Sequence, residues 1–154
     1  MPTAGSHHRL SADNSNAAEG DAMSTTQFLY AIIILPVNDI YETIAWYERA
    51  LGLQTQYIHG SGKRGEAEDF ANYATMNRDS VEVHFILDEG GPIWTRSGTG
   101  YLCLTVRDVD LEYSEVKSRG IPILRELQKQ NWGARAFSLK DPSGNEVLIQ
   151  QPTE

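Results

Sequence analysis

The stretch LPVNDIYETIAWYERALG, residues 35–52, returns in altered form as LTVRDVDLEYSEVKSRG, residues 104–120. Leu35 aligns with Leu104, Val37 with Val106, Asp39 with Asp108 and Ile40 with Val109, all at one offset of 69 residues. Each copy reads as a strand that runs through an Asp into a helix and stops at a Gly. Such a repeat restricts the chain to folds assembled from two like units, and 154 residues hold two small units in one domain.

Local chemistry supports both copies. Asp39 and Asp108 are N-cap residues, and Glu42, three positions after Asp39, resembles a capping box. Ile40, Ile44, Tyr47 and Leu51 make one helical stripe, as do Val109, Tyr113 and Val116. Gly52 and Gly120 suit the left-handed position that ends a helix.

Strand-like segments follow each helix. In the first half they are Leu53–His59, Asn72–Asn77 and Val81–Leu87; in the second, Ile121–Leu127, Ala134–Lys140 and Asn145–Gln151. The last two flank Asp141-Pro142-Ser143-Gly144, which has the composition of a type I turn. The expectation is an α+β fold of two tandem βαβββ modules, about 28–89 and 98–151, forming a curved mixed sheet with a cavity. Residues 1–27 lack periodicity and read as a disordered leader; His7-His8 within it reads as a tag remnant or chance rather than a metal site. The domain runs over 28–154.

Alternation sorts the strand faces. Leu35 and Val37, Val83 and Phe85, Leu102 and Leu104, and Val147 and Ile149 form an aliphatic face suited to the helices. The opposite face is mixed: Ile32, Glu82, His84, Tyr101, Cys103, Thr105, Leu148 and Gln150. Ile32, Ile34 and Leu148 suit water poorly, so this face is expected to line the cavity. The lone cysteine, Cys103, is expected to be a small buried hydrophobe; it excludes an internal disulfide and any zinc site built on several thiolates. A reduced, cytoplasmic setting is expected, with no secretory signal and no apolar run of membrane length. Net charge is −8, which disfavours nucleic acid and anionic membranes and favours a cationic ligand.

Three motifs, LPVNDIYETIAWYERALGLQ (35–54), YLCLTVRDVDLEYSEVKSRGI (101–121) and QNWGARAFSLKDPSGNEVLI (130–149), resemble the vicinal oxygen chelate superfamily. That group includes glyoxalases, extradiol dioxygenases and the fosfomycin- and bleomycin-resistance proteins. In its metal-dependent members four His or Glu ligands project from the mixed face. Carried over by motif, those positions are Ile32, His84, Tyr101 and Leu148, with Glu82 a neighbour of His84. Ile and Leu offer no donor atom, so the resemblance implies no metal and no other cofactor here.

WGARAFSLKDPSGN and LPVND are most similar to the bleomycin-resistance type. That likeness implies a cytoplasmic homodimer that sequesters a bleomycin-type or other cationic, aromatic antibiotic without catalysis and confers resistance. It implies ligand contacts from Trp132, Tyr101, His84, Glu82, Ile32, Cys103 and Leu148, with Tyr73, Phe70 and Trp94 at the rim. Glu66, Glu68 and Asp69 would add rim charge. The alternative is an enzyme of the same superfamily, a lyase, isomerase or dioxygenase with a degenerate metal site. In it Glu82, His84 and Tyr101 would converge, with His84 or Glu82 as base.

Overall fold

A computed structural model describes residues 26–60, 71–90 and 96–153. The chain separates into two units, Met1–Ala31 and Ile32–Glu154. In the first, residues 26–31 carry neither helix nor strand, and Phe28, Leu29 and Tyr30 are exposed.

The second unit holds the repeat. Its elements run β1 (Ile33–Val37), α1 (Ile40–Leu51), β2 (Gln54–His59), β3 (Tyr73–Arg78), β4 (Val81–Leu87), β5 (Tyr101–Thr105), α2 (Val109–Ser118), β6 (Arg125–Lys129), β7 (Ala134–Lys140) and β8 (Glu146–Pro152). They form two four-stranded sheets, ordered β1-β4-β3-β2 and β5-β8-β7-β6. The only parallel pairs among them are β1 with β4 and β5 with β8, so each sheet is mixed in the same way.

The registers match as well. Ile33 pairs with Val83 and Ile34 with His84; Leu102 pairs with Val147 and Cys103 with Leu148. With Ile33 equivalent to Leu102, this makes His84 the counterpart of Leu148, as the motif comparison requires.

Both helices begin as their sequences dictate. Asp39 Oδ1 accepts from the Glu42 N–H at 2.8 Å, and Asp108 Oδ1 from the Leu111 N–H at 3.0 Å. Gly52 ends α1 at φ +65°, a conformation that costs a glycine little. Helix α1 buries Ile40, Ile44, Tyr47, Ala50 and Leu51, and the Tyr47 ring meets Phe85 of β4 at 4.6 Å. Helix α2 is less apolar and buries Val109 and Val116 together with Glu112.

Polar clasps tie the modules together. Asn145 Nδ2 donates to the Pro36 carbonyl, Arg119 Nη1 to the Ala50 carbonyl, and Arg78 Nη1 to both the Leu51 carbonyl and Glu112.

One strand departs from expectation. The segment expected at 121–127 pairs only from Arg125 onward, because Ile121 buries itself as the irregular chain leaves α2. Ile121 and Ile123 serve the core, while Pro122 and Leu124 are exposed and the Leu124 N–H already donates to the Ser138 carbonyl of β7 at 2.8 Å.

Candidate ligand-binding site

Directly paired residues share a face of a sheet, so the registers assemble the mixed face. On the first sheet it carries Ile34, His84 and Thr75 across one row and Pro36, Ile86, Tyr73 and His59 across the next. On the second it carries Tyr101 with Glu146 and Lys140; Cys103 with Leu148 and Ser138; and Thr105 with Gln150 and Ala136.

His84 is the best-held group. Only 8% exposed, it meets the Tyr73 hydroxyl through Nδ1 at 2.5 Å and Glu82 Oε1 through Nε2 at 2.6 Å. A carboxylate accepts only, so it selects the tautomer with the proton on Nε2; Nδ1 then accepts from Tyr73. Burial, and then the Glu82 charge, raise the Tyr73 phenol above its ordinary value and keep it a proton donor. Tyr73, His84 and Glu82 therefore form one chain, with both imidazole nitrogens in use.

The second sheet holds a separate group. Tyr101 is 58% exposed, and its phenol is raised by desolvation, then by Glu146 and Cys103, against an opposing Arg125. His84 bonds to groups on its own sheet, and the charges acting on Tyr101 belong to the second module. Cys103 corrects another expectation, since it is exposed. Its side chain points to the mixed face. Desolvation nevertheless raises its thiol. Leu148, beside it, is 8% exposed.

Trp132 stands in the turn between β6 and β7, 56% exposed, its indole N–H bonded to Gln150 Oε1. Ile32 and Ile34 are also exposed. Phe70 and Trp94, with Glu66, Glu68 and Asp69, lie outside the described residues.

Among the described residues the face is exposed at Ile32, Ile34, Tyr101, Cys103 and Trp132 and buried at His84, Leu148 and Ser138. A cleft of about 440 Å³ at the end of the first sheet takes in Tyr73 with Tyr57, His59, Asn72, Ile86, Leu87 and Glu89. A larger one of about 880 Å³, bordered by Leu51, Arg78, Val81, Leu104, Leu111 and Glu112, contains none of the expected ligand residues. Tyr57 and His59, linked at 3.4 Å, also stand on this face. Arg135 pairs with Asp110 at 2.8 Å and so plays a structural part.

These residues do not fit a metal ion. Ile32 and Leu148 have no donor atoms, and both nitrogens of His84 are engaged. Among the described residues no three His, Cys, Asp or Glu side chains are grouped to hold one.

A model of the Glyoxalase/Bleomycin resistance protein/Dioxygenase superfamily matches residues 29–149, and the chain belongs to that superfamily. Solved structures share its fold. A bleomycin-binding protein complexed with bleomycin is 24% identical, with TM-score 0.61 over 80% of this chain and 98% of that one. TnmS3, an antibiotic-binding protein from Streptomyces sp. CB03234, is 17% identical, with TM-score 0.64 over 84% and 100%. TioX from Micromonospora sp. ML1 is 19% identical, with TM-score 0.62 over 81% and 99%. No curated protein sequence matches the chain.

Proposed function

We propose that this protein is a metal-free small-molecule binder that sequesters a bleomycin-type or other cationic, aromatic antibiotic and thereby confers resistance. The observation that carries the reading is the pair Ile32 and Leu148. They occupy two of the four positions where metal-dependent relatives place ligands, on a face that also presents Trp132 and Tyr101. An apolar floor with exposed aromatic rings suits a flat ring system, and a net charge of −8 suits a cation. Structural neighbours described as antibiotic-binding and bleomycin-binding proteins add support.

Two copies, paired so that the mixed face of one closes over that of the other, would cover Ile34, Tyr101 and Trp132 and complete a cavity. The test is titration calorimetry of chelator-treated protein with copper-loaded and metal-free bleomycin, with light scattering on the eluted protein. Sub-micromolar binding near one ligand per chain by a dimer is the expected result. A monomer of about 17 kDa, or no heat, defeats the reading.

One observation favours a second reading. The Tyr73–His84–Glu82 chain is an arrangement that moves protons, so a lyase, isomerase or dioxygenase with a degenerate metal site would use His84 or Glu82 as base. Its mark is turnover that His84→Ala abolishes while the fold survives.

A further inference from the structure

Trp132 is more than half exposed, yet its ring is tethered. The indole Nε1–H donates to Gln150 Oε1 at 3.2 Å. Gln150 stands on β8 between Thr105 of β5 and Ala136 of β7, and its Nε2 donates to Thr105 Oγ1 at 3.4 Å. The orientation of this amide is dictated by chemistry. An indole nitrogen only donates, so it must meet the carbonyl oxygen, which turns the amide nitrogen toward the hydroxyl.

The tether has a consequence for recognition. The one polar group of Trp132 is spent inside the protein, while much of the ring remains open to solvent. A ligand arriving there meets a fixed π surface that offers no hydrogen bond. Flat, electron-poor or cationic rings gain from such a surface; groups that need a donor do not.

We propose that Gln150 is a positioning residue that turns Trp132 into a preset stacking plate, and that it thereby selects ligands carrying a flat, electron-poor or cationic ring. This rests on the reading that the mixed face binds a small molecule. Fixing the ring beforehand removes the ordering cost of binding, an effect of about two- to tenfold in affinity.

The test follows the three tryptophan indole N–H signals of the full chain by nitrogen-15 NMR, with Trp132→Phe assigning one of them. Gln150→Leu removes the acceptor; Gln150→Glu keeps one. The Trp132 indole proton is expected to exchange with water up to roughly tenfold faster in the Leu variant, with no increase in the Glu variant. The Trp46 signal of helix α1, unmoved in both, reports that the fold is intact. Affinities for copper-loaded bleomycin and for the flat cation 1-methylnicotinamide are then expected to fall about two- to tenfold with Leu and to survive with Glu. Indole exchange that ignores Gln150→Leu overturns the proposal whatever the protein binds. Equal losses of affinity in the Leu and Glu variants overturn it too, since a merely structural Gln150 would behave so. A tethered indole in a wild-type protein that binds neither compound overturns the selection, and with it the mixed-face reading, while the hydrogen bond itself stands.

Discussion

Tyr47, in the third turn of α1, donates its phenol proton to Asp141 Oδ2 at 3.0 Å, reaching from the first module into the hairpin turn of the second. Asp141 is itself buried and fully occupied. Its Oδ1 accepts from the N–H groups of Ser143 and Asn145, and its Oδ2 also accepts from Asn145 Nδ2. The turn that shapes the last hairpin is thus also the socket for the first helix. Removing one donor leaves a buried carboxylate short of a partner, so Tyr47→Phe is expected to cost about 1–3 kcal/mol in urea unfolding.

The same contact gives the protein an alkaline limit. Burial, and then the Asp141 charge and hydrogen bond, raise the Tyr47 phenol well above its ordinary value. A raised pKa means that the folded state holds the proton more tightly. The resulting stability is whole below the unfolded value of about 10 and is lost as pH rises toward the folded one. Stability above pH ~10 should therefore fall more steeply in wild type than in Tyr47→Phe. Absorbance at 295 nm should show one tyrosine ionising only as the chain unfolds.

Gly100 is the second point of tolerance between the modules. A Cβ there would lie 2.7 Å from Asn145 Oδ1 and 2.7 Å from Leu35 Cδ2. The Leu methyl can yield, but the Asn oxygen is held by the Gly100 N–H at 2.8 Å while its Nδ2 bonds Pro36 and Asp141. Gly100→Ala should destabilise by about 1–3 kcal/mol, seen as a lower denaturation midpoint with an unchanged slope.

Cys103 tests the openness of the mixed face. It is exposed within the chain and would line the cavity that a dimer completes, so a small disulfide reagent entering that cavity should label one thiol per chain without denaturant. Desolvation raises its pKa, so less thiolate is present at neutral pH and labelling should be slower than for free cysteine, quickening as pH rises. Bleomycin should protect the thiol if it lies on this face. Labelling that appears only in denaturant would show the face to be covered.

How much of this was legible in the sequence differs between fold and site. The offset of 69 residues matched the first strands and helices, and the like patterns Val83-His84-Phe85 and Val147-Leu148-Ile149 matched the last strands, an equivalence the registers display, because a strand's alternation survives wherever one face is buried. The links within the site were not legible. Tyr73 reaches His84 diagonally from β3 to β4, a contact that depends on the register of the Asp79-Ser80 turn. Trp132 finds Gln150 from a loop, 18 residues away. Alternation names a face but not what lies over it, and for that reason Cys103 was expected to be buried.

Indifference to metal is the outcome expected from the side chains at these positions. Of the four positions carried over from metal-dependent relatives, Ile32 and Leu148 bring only carbon. His84 could reach a cation only by giving up Tyr73 or Glu82, bonds of 2.5 and 2.6 Å at a residue 8% exposed. Breaking one would strand a partly buried polar group, at about 1–3 kcal/mol, for a single-ligand contact that binds metals weakly. Chelator, or added zinc or iron(II) at micromolar concentration, should therefore leave the melting temperature and the affinity for metal-free bleomycin unchanged. Tyr73→Phe frees Nδ1, and even then zinc should raise the melting temperature by no more than the error of measurement. A zinc-dependent rise of several degrees in wild type would mean that donors beyond these four positions converge on His84, and that the protein belongs with the metal-dependent members of its superfamily.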